Sequence, residues 1–326
     1  MKKDKKIRWG IIGCGSVTEV KSGPAYQNTE GFEVLAVMRR NKEKAADYAK
    51  RHGIPKYYTN ADELINDPDI DAVYIATPPD SHKEYALKVA AVGKPCCIEK
   101  PMTPNYPDSL EIHKAFNAKD LPLFIAYYRR SLPRFNKVKE WLNKGEIGKV
   151  RQIRWQLSTP PSALDLNGEY NWRTDASIAP GGYFDDLASH GFDLFAYFLG
   201  DITEASGIAE NQMGLYTAKD AIMGLWKHEN GVLGSASWNF GCFQREDIVE
   251  IYGSEGKIIF SVFEEAPIVL MNSRGEEKLE IGNPKHIQQY HVENIKDHLL
   301  GIKEHPSLGK SGMQANWVLD KVLGRI

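Results

Sequence analysis

Short apolar runs rich in β-branched residues recur through the first third of the chain, at 7–12, 32–38, 72–76, 96–98 and 123–127. None shows the in-and-out alternation of a half-exposed strand, so each reads as a strand buried on both faces, as in a parallel sheet. Helical stretches at 42–52, 81–92 and 106–118 separate them. Strand and helix in alternation point to a doubly wound α/β layer. Punctuation agrees: Gly53 and Gly93 fall where helices should stop, and Asn41 and Ser81 can cap helix starts. Ser22-Gly23-Pro24 should cut the first helix short and follow it with a turn.

The pattern changes near 133. A helix to 144, a turn at 145–149 and a strand at 150–157 lead to a helix near 182–199. Strand-like runs follow at 221–228, 232–240, 247–252 and 257–262, parted by turns such as Glu229-Asn230-Gly231, which predicts an antiparallel sheet. Helical stretches at 291–301 and 313–323 close the chain. At 326 residues the chain exceeds what one core usually serves. The expected division is a parallel-sheet domain at 1–127 and an α+β domain with a large, mainly antiparallel sheet at 128–326.

A formal net charge of -2 offers no positive field to nucleic acid or an anionic membrane. The basic start Met1-Lys2-Lys3-Asp4-Lys5-Lys6 is followed by an apolar stretch broken by Arg8 and running into Gly10, a first strand rather than a leader. No window approaches the roughly 18 apolar residues of a membrane span. Cys14, Cys96, Cys97 and Cys242 are sparse, lack zinc spacing and include a neighbouring pair poorly suited to a disulfide, which suits a reducing cytoplasm.

Gly13-Cys14-Gly15-Ser16-Val17-Thr18 follows the first strand and opens a helix, the context a dinucleotide turn requires. Gly13 and Gly15 let the backbone turn and approach a pyrophosphate facing the amides of Ser16 and Val17. Thr18 stands where a third glycine or alanine is usual, and its bulk should hold helix and strand slightly apart. Lys21 could reach the pyrophosphate. About twenty residues on, a NAD site would place an acid. Here stand Arg39 and Arg40, with no carboxylate between Val34 and Lys42, which favours NADP, Arg39 being the first contact and NAD the second choice.

Two more segments carry chemistry. Lys100 in Glu99-Lys100-Pro101 should stand at the carboxyl end of a parallel strand, where an ammonium can hold a substrate oxygen and steady a developing alkoxide. At about 100° per residue, Asp186, His190, Asp193 and Tyr197 share one arc of the helix near 182–199. His190 fits a general base for alcohol oxidation and Asp186 a group that orients it; whether Lys100 or His190 takes the proton stays open. Asp193 is as well suited to structure. Thr77 and Pro78 end a strand on the nicotinamide side, and His82 is either a cofactor neighbour or a core or capping histidine. Tyr128, Arg129, Trp172 and Arg173 can clamp a polyhydroxylated ring or serve packing. No H-E-x-x-H or cysteine cluster supports a metal.

Gly13-Cys14-Gly15, the run Ala76 to His82, Glu99-Lys100-Pro101 and the run Gly181 to His190 together resemble the Gfo/Idh/MocA oxidoreductase family over nearly the whole chain. The resemblance implies an N-terminal Rossmann domain and a second α/β domain whose open sheet often joins subunits, here into a dimer or tetramer. It implies a catalytic Lys100, with Glu99 pairing nearby groups, a cis bond before Pro101, and no metal. The implied activity is reversible oxidation of a secondary hydroxyl on a sugar, inositol or related cyclic alcohol with NAD or NADP. Two departures touch cofactor geometry only: Thr18, and Pro180-Gly181-Gly182 in place of three glycines. Alternatives are NAD-dependent glycoside cleavage through transient oxidation, and a cofactor-sensing regulator without turnover.

Overall fold

Hydrophobic burial on both faces makes the first sheet. The structure, a computed structural model, describes residues 6–326, so Met1 to Lys5 of the basic start lie outside the described residues. In chain order the first unit runs β1 (Ile7–Ile12), α1 (Ser16–Val20), α2 (Gly23–Asn28), β2 (Phe32–Met38), α3 (Lys42–His52), β3 (Lys56–Tyr58), α4 (Ala61–Asn66), β4 (Ala72–Ile75), α5 (His82–Ala91), β5 (Cys96–Ile98), α6 (Tyr106–Asn117) and β6 (Leu123–Ile125). All pairings are parallel, in the order β3-β2-β1-β4-β5-β6. That is the Rossmann order, whose ligand crevice lies at the carboxyl ends of β1 and β4 where the winding reverses.

Trp9, Tyr26, Phe32 and Tyr74 form the aromatic centre of this unit, with Trp9 and Tyr26 centroids 4.8 Å apart and Tyr26 stacked on Tyr74 at 4.9 Å. Each such side chain stabilises the fold by roughly 2–3 kcal/mol through area removed from water. Asn41 caps α3 as expected, its side chain accepting the Lys44 N–H at 2.9 Å. Ser81 does not cap α5; its hydroxyl turns back to Thr77 and the Pro78 carbonyl. The first helix ends at Val20 and a turn follows at Lys21 and Ser22, but a second helix then starts at once, because Pro24 sits in the first turn of α2 where its missing N–H costs nothing. Edge strand β3 escaped the sequence reading because Lys-Tyr-Tyr is only partly buried and carries no apolar run.

The second unit holds α7 (Pro133–Asn143), β7 (Val150–Ser158), α8 (Ala163–Leu166), α9 (Tyr183–Leu199) and β8 (Ile202–Glu210), β9 (Ala221–His228), β10 (Leu233–Asn239), β11 (Glu246–Gly253), β12 (Gly256–Phe260), β13 (Ile268–Asn272) and β14 (Gly275–Leu279). Its sheet runs β14-β13-β12-β11-β7-β10-β9-β8, antiparallel except for the β7–β10 pair. One face is aromatic: Trp155, Trp226 and Trp238 are buried and meet Phe184, Phe192 and Phe195 of α9. The opposite face is open, with Ile208, Met223, Leu225 and Ile248 exposed.

After β14 the chain returns. Residues 284–313 belong to the first unit together with the chain up to Ser131, while 132–283 and 314–326 form the second. The expected division at 127/128 is therefore corrected: α10 (Gln289–Leu299) puts Val292 and Ile295 into the core around Trp9 and Tyr26, burial that a single cut cannot anticipate. The last helix, α11, spans Gly309–Val322. Among the described residues no helix is long and apolar enough to cross a membrane.

Candidate active site

The glycine turn is built as a strand end that must reverse without side chains. Gly13 has φ +97°, and a Cβ there would come within 2.8 Å of the backbone at Ala76 and Thr77, so the turn lies directly on the end of β4. Its N–H donates to the Met38 carbonyl at 2.9 Å, tying it to β2 as well. A Cβ on Gly15 would meet nothing within 4 Å, which leaves an open approach to the backbone. Thr18 is wholly buried and folds its hydroxyl back on Gly15, accepting the N–H and donating to the carbonyl, each at 2.9 Å. The helix's own ladder starts with Glu19 N–H to the Gly15 carbonyl, so the amides of Ser16 and Val17 lie ahead of it. Arg39 lays its guanidinium on the same turn, Nη1 donating to the Cys14 carbonyl at 2.9 Å, whereas Arg40 is exposed. An open backbone face with an adjoining guanidinium fits a dinucleotide phosphate.

Thr77 packs its methyl under Gly13, and the adjacent Pro78 is exposed. His82 has no exposed surface to give a cofactor. Its ring nitrogens lie 2.8 Å from the Thr77 carbonyl and 3.1 Å from the Met102 carbonyl, and burial holds its pKa below the ordinary histidine value. The ring thereby ties the Thr77 turn to the segment after Lys100.

Glu99 is buried directly after β5 and carries a full set of donors. Its Oε1 accepts the Tyr74 hydroxyl at 2.6 Å and Gln288 Nε2 at 2.7 Å, and its Oε2 accepts the Lys100 N–H at 3.2 Å. The Lys100–Pro101 peptide is cis. Lys100 is thus half-buried at the carboxyl edge of the sheet on a backbone held by a carboxylate that is itself fixed. Gln288, contributed from 189 positions away, was not foreseen. In the short 3-10 turn after β6, Arg129 is 5% exposed and lies over the Tyr128 ring at 5.0 Å, so Tyr128 presents more surface than the arginine.

In the second unit, α9 places Asp186 and His190 one turn apart, both buried. Arg173 Nε donates to Asp186 Oδ2 at 2.8 Å, and its guanidinium also lies over the Trp172 ring at 4.3 Å. Asn171 caps the 3-10 turn Trp172–Thr174 by accepting the Arg173 N–H at 3.1 Å, which sets the direction of that arm. Asp193 continues the stripe buried, and Tyr197 donates its hydroxyl to Asn136 at 3.0 Å. The neighbouring Asp185 points elsewhere: it accepts the Gly181 N–H at 2.8 Å and pairs with Arg325 at 3.0 Å, while Arg325 also meets Asp320 at 2.7 Å. That clamp on the start of α9 was not read from sequence, although two adjacent aspartates at a helix start hinted that they would divide the work.

Comparison with known proteins agrees with this geometry. The description "Oxidoreductase family, NAD-binding Rossmann fold" matches residues 7–127, and "GFO/IDH/MocA C-terminal domain" matches residues 135–259. The chain is 37% identical to Oxidoreductase P35 of Formosa agariphila over 98% of this chain and 99% of that protein. It is 28% identical to 1,5-anhydro-D-fructose reductase of Ensifer adhaerens, over 94% and 92% of the respective chains. In fold it is similar to levoglucosan dehydrogenase in complex with NADH and levoglucosan, with a TM-score of 0.89, 22% identity and coverage of 98% and 96%. Both domains match in order and one relative aligns end to end, so the chain belongs to the Gfo/Idh/MocA family of oxidoreductases.

Proposed function

We propose that this oxidoreductase interconverts a secondary hydroxyl and a ketone on a sugar, inositol or related cyclic polyol, with NADP(H) preferred to NAD(H). The anchorage of Lys100 carries the reading. A lysine at the carboxyl edge of a parallel sheet, rooted on a buried glutamate with three bonded donors, is positioned for chemistry rather than for solubility. Relatives named 1,5-anhydro-D-fructose reductase, levoglucosan dehydrogenase and myo-inositol 2-dehydrogenase support the substrate class.

A bound nicotinamide supplies the hydride acceptor or donor. Gly13, Gly15, Ser16 and Val17 would hold its pyrophosphate, with Thr77 and Pro78 on the nicotinamide side. In oxidation, the Lys100 ammonium holds the hydroxyl oxygen and offsets the negative charge that grows on it. His190 takes the hydroxyl proton and returns it in the reverse direction, and Asp186, held by Arg173, orients that exchange. Trp172 offers a flat face to a sugar ring, and Tyr128 a polar-tipped one.

The test follows reduced-nicotinamide absorbance with NADP and then NAD across cyclic polyols, aldoses, sugar phosphates and glycosides. Turnover favouring NADP is expected. Cofactor binding with no net nicotinamide change would move the assignment to glycoside cleavage or sensing. Arg39→Ala should raise KM for NADP about 10–100-fold, the worth of one charge-assisted hydrogen bond, with NAD little affected. Equal loss for both cofactors would remove Arg39 from the 2′-phosphate.

We also assign the open sheet face to a second copy of the chain in a homo-oligomer, and the protein to the cytoplasm, where free Cys14, Cys96 and Cys97 persist as thiols. Leu225→Lys, placed among Ile208, Met223 and Ile248, should shift light-scattering mass to a single chain. An unchanged mass would take this face out of the assembly.

A further inference from the structure

We propose that Asp247 and Phe263 are positioning residues that hold the His190 imidazole, an inference that rests on the acid–base role proposed above. Phe263 packs on His190 with centroids 5.8 Å apart and planes at 83°. It stands in the connection between β12 and β13, where a loop would ordinarily be free to drift. This one is pinned at both ends.

At one end Asp247 of β11 accepts the Phe263 N–H at 2.6 Å and, on the same oxygen, the Ser261 hydroxyl. At the other, Arg134 is 2% exposed and donates to the carbonyls of Glu264 at 2.5 Å and Ala266 at 2.6 Å. The remaining Asp247 oxygen accepts the Trp155 indole N–H at 2.9 Å. Trp155 stacks on Phe263 at 6.4 Å and lies against α9 at Gly191, where a Cβ would come within 2.2 Å of the indole. The contacts therefore close a ring from His190 to Phe263, Asp247, Trp155 and back to the residue after His190.

Core packing alone does not call for a carboxylate here. The inward positions of β11 are Asp247, Val249 and Ile251, and an apolar residue at 247 would fill the same face without desolvating a charge. The aspartate is explained by what it orders: a backbone N–H, a hydroxyl and an indole that together fix the aromatic wall of His190.

The test compares wild type, Phe263→Leu, Phe263→Tyr and Asp247→Asn as full chains, reading kcat, KM for the alcohol, cofactor affinity and the His190 imidazole resonance in ¹³C-histidine-labelled protein. Phe263→Leu and Asp247→Asn should lower kcat about tenfold with KM and cofactor affinity nearly unchanged, and Phe263→Tyr should restore kcat. The His190 signal should be single and sharp in wild type and Phe263→Tyr, and exchange-broadened in Phe263→Leu. A folded Phe263→Leu with wild-type kcat overturns the proposal. If Asp247→Asn fails to fold, the two Phe263 variants decide. If wild type turns over no alcohol, the acid–base reading falls, and the resonance alone decides positioning: an equally sharp signal in Phe263→Leu overturns it, and broadening supports it.

Discussion

Lys100→Met should lower kcat by about 10³-fold or more, the range expected when a group that steadies developing charge is removed from an active centre. Methionine keeps the length and apolar stem of lysine, and the Lys100 N–H to Glu99 bond belongs to the backbone, so the turn stays in place. The loss should therefore fall on kcat, with dinucleotide affinity unchanged by calorimetry. Lys100→Arg would keep the charge but not its shape, and should recover little. His190→Asn should be nearly as damaging, and the double variant little worse than either single one, because groups that act together on one chemical step are not additive. A tenfold loss or less in Lys100→Met would remove the lysine from the chemistry.

The second large effect is on stability in mild acid. His82, His228, His291 and His305 are buried, and burial lowers the pKa of each, that of His305 to about 3. Two of the rings also accept hydrogen bonds that a protonated nitrogen could not: His228 accepts the Trp226 indole N–H at 3.1 Å, and His305 accepts the Ser307 N–H at 3.0 Å. In the unfolded chain the same rings protonate near pH 6.5. Below that pH the unfolded state binds protons that the folded state refuses, so stability is complete above about pH 6.5 and falls as pH drops toward the folded values. Each ring adds a slope of up to about 1.4 kcal/mol per pH unit between its folded and unfolded values, and the contributions of the four have the same sign. Denaturant titrations should show a constant midpoint above pH 7 and a steep decline from pH 6.5 to 5. A midpoint still flat at pH 5 would contradict this account.

Legibility from sequence followed locality. The phosphate turn, Glu99-Lys100-Pro101 and the Asp186–His190 spacing are each written in a few consecutive residues, because a tight turn, a strand end and a helical face are local structures. Strands buried on both faces were legible for the same reason, while β8 was missed since Ile202–Glu210 is largely exposed and mixes glycine, serine and glutamate. Residues that hold the candidate groups in place were not legible. Gln288 on Glu99, Arg325 on Asp185 and Asp247 under Phe263 meet their partners only after the chain has folded, and nothing in their immediate neighbours marks them. His82, for which the local sequence suits a cofactor neighbour as well as a core or capping histidine, is fully buried with its ring nitrogens beside two carbonyls.

The late return of residues 284–313 to the first unit sets an order of assembly during synthesis. Strands β1 to β6 leave the ribosome early, yet the core around Trp9 still lacks Val292 and Ile295, and Glu99 still lacks Gln288. The second unit's entire sheet is translated before those residues emerge. The nucleotide-binding half, although encoded first, is the half that waits, and a fragment stopping at Ser131 would expose an unfinished apolar surface rather than a miniature Rossmann protein.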